Sequence, residues 1–177
     1  SGKYDTIAGQ VSVTEKRKEK YQFSDIYGYN AIKLAVRGDD SAQSIDDMQG
    51  RKVCIEYGTV LEDALNKINE SFPEDKKIKL VTTEGNLYDE LAVGHYDAFP
   101  ITVLSFDQIN KKGDYHFKLI GDPILIDKNA FPFAKDADPE MLRAVNAAIE
   151  EMQKDGTMSK LSMQYFGRDI SKEEIRE

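Results

Sequence analysis

The sequence predicts an α/β protein with a mostly parallel sheet and helices on both faces of that sheet. Segments with apolar residues at alternating positions, such as residues 29–36, are typical of strands. They alternate with segments whose apolar residues recur every three or four positions, and residues 60–72 carry the clearest such stripe. This strand–helix–strand order favours βαβ units and therefore parallel strands.

Local capping signals support several of the helices. Thr14 is an expected N-cap, and Asp138 followed by Pro139 indicates a helix start, because proline lacks the N–H that the first helical residue leaves unpaired. Gly94 is expected to end another helix. In order, we predict strand 4–8, helix 15–21, strand 29–36, strand 52–56, helix 60–72, strand 78–81, helix 87–93, strand 96–99, helix 101–110, strand 116–120, a helix from 139 and a second amphipathic segment to 165–167.

Composition and charge argue against two classes of partner. The 177 residues include 24 basic and 32 acidic side chains, a formal net charge of −8, so a nucleic-acid backbone would be repelled. No apolar run approaches the roughly 20 residues that span a bilayer. Ser1 and Gly2 look like a tag remnant, and we expect a signal segment to be absent from this sequence.

Residues typical of catalysis or metal binding do not form a recognisable pattern. The single cysteine, Cys54, lies in a strand-like segment and is interpreted as a core thiol. His95 and His116 lack the spacing of metal ligands, and the sequence contains neither a nucleophile elbow nor a glycine-rich phosphate loop. We therefore expect no metal, no cofactor and no enzymatic activity.

Arg17 is the first candidate binding residue. If Thr14 caps the helix, Arg17 lies in its first turn, where the helix dipole disfavours a cation. One interpretation is that Arg17 belongs to the exposed charged face of residues 15–20. The other is that its planar guanidinium holds a carboxylate through two hydrogen bonds, assisted by the hydroxyl of Ser12 and by turn amides.

A second candidate anion site lies where a helix follows a strand. The strand-like segment ends at Glu56, and the helix is expected to begin near Thr59. The N–H groups of Thr59 and Val60 would then point outward, available to an anion. The same pattern is also typical of ordinary helix capping.

Four segments in order resemble a known family: "VSVTEKRKEKYQFSDIY", "SIDDMQGRKVCIEYGT", "LAVGHYDAF" and "AVNAAIEEMQKDGTMSKLSMQYFG". They are similar to the extracytoplasmic solute-binding proteins of amino-acid ABC transporters, the type 2 periplasmic binding proteins of family 3. The segments "YDTIAGQVSVT" and "EYGT" look most like the cystine-type binders.

The resemblance implies a fold and a function. It implies two α/β lobes, with residues 1–36 and 121–177 in lobe one and residues 37–120 in lobe two, closing over a polar amino acid or cystine in a cleft between them. It also implies a membrane permease as partner and an extracytoplasmic location, periplasmic or as a cell-surface lipoprotein. Carried over residue by residue, the ligand carboxylate is bound by Arg17, Ser12, Thr59 and Val60, with Gln10 at the cleft wall.

The sequence departs from the family pattern at two places. Family members usually have an aspartate for the ligand ammonium where this chain has Thr102, so another acid such as Glu56 would have to supply the charge. The first strand, first helix and second strand of lobe one have no counterpart before Lys3. We therefore expect an incomplete lobe one that self-associates or is loosely held.

Proteins with two other functions have the fold that the resemblance implies. One is an extracellular ligand-binding sensor module of a receptor or kinase, which an adjoining transmembrane segment would favour. The other is a dehydratase, which would need a cleft acid with a raised pKa, and the segment "DAFPIT" offers none at the usual place.

Overall fold

The computed structural model describes residues 4–112 and 115–173, so Ser1 and Gly2 lie outside the described part. The chain divides into two compact units. The first unit comprises the described residues of Ser1–Asn30 and Ile126–Glu177, and the second is Ala31–Leu125.

Apart from two strands that were not predicted, Tyr21–Phe23 and Pro132–Ala134, the helices and strands follow the predicted order with shifted ends. They are α1 (Glu15–Lys18), β1 (Tyr21–Phe23), β2 (Gly28–Arg37), β3 (Lys52–Cys54), α2 (Val60–Asn69), β4 (Lys79–Val81), α3 (Leu87–Ala92), β5 (Ala98–Thr102), α4 (Val103–Lys112), β6 (Phe117–Asn129), β7 (Pro132–Ala134), α5 (Pro139–Lys154) and α6 (Thr157–Phe166).

The second unit is built on a five-stranded sheet in the order β4-β3-β5-β2-β6. β3 runs parallel to both β4 and β5, as the predicted βαβ units require. β2 runs antiparallel to β5, so the sheet is mixed rather than mostly parallel. The physical reason is the connection between β2 and β3, which contains only a 3-10 turn and no crossover helix that would return the chain to a parallel direction.

Apolar side chains cover both faces of this sheet. Successive strand residues point to opposite faces, so Leu34 and Val36 lie in one core cluster while Ala35 lies in the other. The first cluster receives Leu65 of α2, and the second receives Leu91 of α3. Helices therefore cover both faces, as predicted.

Cys54 lies among these core residues. Its side chain is buried, as expected for a core thiol, and burial raises the pKa of the thiol.

The first unit contains a two-stranded antiparallel sheet and the helices α5 and α6. β1 pairs with β7. Because Tyr21 belongs to β1, the helix α1 ends at Lys18 and not at the predicted residue 21. The predicted helix starts are confirmed: Thr14 accepts a hydrogen bond from the N–H of Arg17, and Asp138 accepts one from Glu140.

The predicted strand at residues 4–8 is wrong. The structure has an isolated bridge there, between Thr6 and Phe133. Pro132, next to Phe133, has no N–H to extend the ladder, and the Thr6 hydroxyl donates to its carbonyl oxygen instead. Tyr4 and Ile7 are exposed, so their apolar pattern is not matched by burial.

Within the described ranges, none of the helices combines the length and the apolar character needed to cross a bilayer.

Candidate functional site

Arg17 is tied to the segment that precedes its helix. Its Nη1 donates a hydrogen bond to the carbonyl oxygen of Ser12 at 2.8 Å. That segment is itself fixed, because the N–H of Val13 donates to Lys128 and the N–H of Ala130 donates to the carbonyl of Val11. The guanidinium is therefore held beside a well-anchored stretch of backbone, although the residue as a whole is exposed.

The hydroxyl of Ser12 is directed at an acidic side chain. Ser12 Oγ donates to Asp127 Oδ2 at 3.0 Å, and Asn129 Nδ2 donates to the same oxygen at 3.1 Å. Ser12 was predicted from the sequence, whereas Asp127, which lies on β6 near the end of that long strand, was not. Only the antiparallel bridge between Ser12 and Asn129 brings the carboxylate to Ser12, and no local sequence pattern indicates that bridge.

Arg17 and Gln10 line different cavities of the first unit. Arg17 borders one of ≈ 430 Å³ and Gln10 borders an apolar groove of ≈ 300 Å³. The lining of the first cavity is Tyr4, Asp5, Thr6, Ile7, Val11, Arg17, Tyr21, Pro132, Phe133 and Ala134. The structure thus places Gln10 on the anchored segment and Arg17 in the helix that follows it, and it does not bring them to one cavity.

The start of α2 carries the second group of predicted residues. Thr59 is the N-cap residue, as expected, but its hydroxyl donates to the carbonyl of Glu56 at 2.8 Å and does not cap the helix. Gly58 has a φ of 77°, in the left-handed region, and its N–H donates to the carboxylate of Glu62 at 2.7 Å. Val60 is the first helical residue.

Thr102 is the last residue of β5 rather than a helical residue, and its hydroxyl caps α4. The N–H of Ser105 donates to Thr102 Oγ1 at 3.2 Å, and Thr102 Oγ1 donates to Ser105 Oγ at 2.8 Å. β3 and β5 are parallel neighbours, so the residues after β3 and Thr102 at the end of β5 lie at the same edge of the sheet. Glu56 and Thr102 therefore share the carboxyl edge of the second unit.

A network of four charged side chains lies elsewhere in the second unit. Arg51 forms a bidentate pair with Asp40 and also contacts Asp97, while Arg37 approaches both acids. The hydrogen bond from Arg51 lowers the pKa of the Asp40 carboxyl to about 2. Every charge in the network has a partner, so we assign it a structural role.

Among residues 4–112 and 115–173, no group of three or more histidine, cysteine or acidic side chains could hold a metal ion.

Comparison with known proteins identifies the family. Residues 1–168 match the bacterial extracellular solute-binding proteins, family 3. The chain belongs to this family. It is 43% identical over 181 residues to the probable amino-acid-binding protein YxeM of Bacillus subtilis, a match that covers 98% of this chain and 66% of that protein. It is 36% identical to the putative amino-acid ABC transporter-binding protein PatH of Vibrio harveyi, covering 97% of this chain and 68% of that protein.

A solved structure supports the same assignment. The putative L-cystine ABC transporter protein from Listeria monocytogenes superposes with a TM-score of 0.67 at 30% identity, covering 97% of this chain and 74% of that chain. These matches confirm the family resemblance drawn from the sequence, its likeness to cystine binders and the type 2 fold class. They also confirm that the chain belongs with solute-binding proteins and not with enzymes.

The chain spans about two thirds of the length of these sequence relatives, 66% of one and 68% of the other.

Proposed function

We propose that this protein binds a free amino acid as the substrate-binding component of an ABC importer. The observation that carries the proposal is the family match over residues 1–168, together with a guanidinium held in place at Ser12. Two relatives are named as amino-acid-binding proteins, and a structural neighbour is named for L-cystine. These names support an amino acid or cystine as the ligand class, and we propose a polar amino acid or cystine.

The partner and the location follow from the same proposal. A solute-binding component delivers its ligand to a membrane permease, and we propose such a permease as the protein partner. The family is one of extracellular solute-binding proteins, and we propose that this chain works outside the cytoplasm, in the periplasm or as a cell-surface lipoprotein.

In the first unit, we propose that Arg17 binds the ligand carboxylate. A guanidinium has five N–H donors, and one nitrogen of Arg17 is engaged with the Ser12 carbonyl, so the remaining donors suit a carboxylate. Ser12 and Gln10 lie on the same anchored segment and are proposed to contact the ligand, Gln10 through its backbone.

In the second unit, we propose that Thr59 and Val60 offer backbone N–H groups to the carboxylate. At the start of α2 these two N–H groups have no carbonyl one helical turn earlier to donate to, so they are available to another acceptor. Glu56 and Thr102, at the carboxyl edge of the same sheet, are proposed to face the ligand ammonium. We further propose that the two compact units are the two lobes of the family fold.

We also propose that the protein self-associates through the apolar groove of the first unit. This groove of ≈ 300 Å³ is bordered by side chains of α6, among which Tyr165 is 72% exposed. Leu161 and Phe166 of the same helix are exposed as well. A second copy that packs the same helix face against this one would remove apolar surface from water on both chains.

A ligand screen tests the transport proposal. The 177-residue chain is mixed with each L-amino acid and with L-cystine, and its thermal unfolding is recorded. A ligand that binds only the folded chain raises the unfolding temperature. We expect a small group of polar amino acids or cystine to do so, and no effect from any of them would contradict the proposal.

A further inference from the structure

Ser12 is hydrogen-bonded to two side chains of opposite charge. Its carbonyl oxygen accepts from Arg17 Nη1 at 2.8 Å, and its hydroxyl donates to Asp127 Oδ2 at 3.0 Å. Among the residues that the structure describes, no ion pair within 4.0 Å joins Arg17 to Asp127. A cation and an anion therefore flank one residue without neutralising each other.

The carboxylate of Asp127 is held in a fixed orientation. Both of its hydrogen bonds, from Ser12 Oγ and from Asn129 Nδ2, end on Oδ2. Asn129 is only 1% exposed, so this donor cannot move freely. Within the described part of the chain, the second oxygen, Oδ1, has no hydrogen-bond partner.

The neighbouring cation on β6 already has other partners. Lys128, the next residue along β6, pairs with Glu173 at 2.5 Å and lies over the ring of Tyr29. Asp127 is half-buried, and no ion pair within 4.0 Å joins it to a cation among the residues that the structure describes. A ligand ammonium group is a cation that can donate a hydrogen bond to Oδ1.

The proposed ligand has the same two charges. A free amino acid carries a carboxylate and an ammonium on one carbon atom. The guanidinium of Arg17 and the carboxylate of Asp127 are both hydrogen-bonded to Ser12, and they have the charges that complement these two ligand groups. Thr102, where the family resemblance implies an acid, has no charge, and its hydroxyl is engaged in capping α4.

We infer that Asp127 is the acidic residue that binds the α-ammonium of the ligand, while Arg17 binds the α-carboxylate. This inference rests on the proposed amino-acid-binding function. It also gives Ser12 a more specific role, because a hydroxyl that donates to Asp127 positions that carboxylate and cannot give the same proton to the ligand carboxylate.

Two pairs of ligands, whose members differ only in the α-amino group, measure the contribution of the ammonium to binding. L-cystine is compared with 3,3′-dithiodipropionate, which has the same skeleton without the two α-amino groups, and L-histidine is compared with imidazolepropionate. Titration calorimetry measures each dissociation constant for the 177-residue chain, for Asp127→Asn and for Asp122→Asn. Asp122 is an exposed aspartate on the same strand, so its variant removes the same charge away from Ser12.

We expect Asp127→Asn to weaken binding of the amino acid by about ten-fold to a hundred-fold, as is typical for losing a hydrogen bond to a charged group. Binding of the acid that lacks the amine should change by less than about two-fold, since asparagine keeps the acceptor for Ser12. Asp122→Asn should change neither, and thermal unfolding of all three chains should show that they are folded.

Two outcomes overturn the inference in distinguishable ways. If Asp127→Asn leaves amino-acid binding unchanged, or weakens both members of a pair equally, Asp127 does not bind the ammonium although the proposed function stands. If the unmodified chain binds no amino acid at all, the proposed function itself fails, and the role of Asp127 fails with it.

Discussion

The guanidinium of Arg17 donates to the carbonyl of Ser12 across 2.8 Å, and this contact joins a helix residue to the anchored segment before the helix. Lys18, in the same charged run, instead pairs with Glu15 on the helix surface. An exposed ion pair of that kind contributes little to stability. The two basic residues therefore have different surroundings, which distinguishes Arg17 from the rest of the charged face.

The Asp40–Arg51 pair predicts how the second unit responds to acid. The Asp40 side chain is 5% exposed, and its pKa of about 2 lies below the ordinary value of 3.8. A lowered pKa in the folded state contributes stability above the unfolded pKa, and that stability is lost as pH falls through the folded value. The contribution near neutral pH is about 2 kcal/mol.

Asp40→Asn should therefore lower the free energy of unfolding by about 2 kcal/mol at pH 6. The difference from the unmodified chain should shrink as the pH falls from 4 towards 2, and urea unfolding at several pH values measures it. Asp39→Asn, at an exposed neighbour, is the control. A constant difference across this pH range would show that the ion pair is not its source.

Replacing Thr102 by aspartate tests the ammonium side of the proposed site. Aspartate is as good an N-cap as threonine, so α4 and the unfolding temperature should be preserved. The added charge should strengthen binding of L-cystine or another L-amino acid and leave binding of the acid without an amine unchanged. Calorimetry on Thr102→Asp and on Glu56→Gln provides the comparison.

The opposite pattern in that experiment would identify another residue. If Thr102→Asp has no effect while Glu56→Gln abolishes binding, Glu56 supplies the negative charge. The roles proposed for Thr102 and Asp127 would then both be wrong.

Self-association through the groove predicts a concentration-dependent mass. Light scattering on the 177-residue chain should give a mass above that of a monomer, and Leu161→Gln should lower it, because a polar side chain on the groove face opposes apolar packing. Val93→Gln, at an exposed apolar residue of the other unit, is the matched control. A monomer at every concentration would contradict the proposal.

The sequence predicted those structural features, such as helix caps, that depend on residues close together along the chain. The caps at Thr14 and Asp138 were predictable because an N-cap bonds within its own first turn. The pairing of β1 with β7 was not, since it joins residues more than a hundred positions apart and so leaves no local pattern. The strand 4–8 failed for a related reason, because Pro132 on the partner segment limits the ladder.

The same distinction applies to the candidate site. Arg17 stood out because a cation in a first helical turn needs an explanation. Ser12 lies in the turn before that helix, and Thr59 and Val60 lie where a helix follows a strand, so local patterns pointed to all three. Asp127 could not be found this way, since its relation to Ser12 depends on a long-range bridge. The capping role of Thr102 was missed because β5 runs on to Thr102, past the predicted strand end at residue 99.

The central claim is that Arg17 holds the carboxylate of an amino acid, and calorimetry on Arg17→Ala and Lys18→Ala tests it most directly. Losing the guanidinium should cost about 2 to 5 kcal/mol of binding free energy for L-cystine, or for whichever L-amino acid the screen identifies, because the ligand carboxylate loses its partner. Lys18→Ala, which removes a neighbouring charge, should bind as the unmodified chain does. Equal affinities for Arg17→Ala and the unmodified chain would contradict the account.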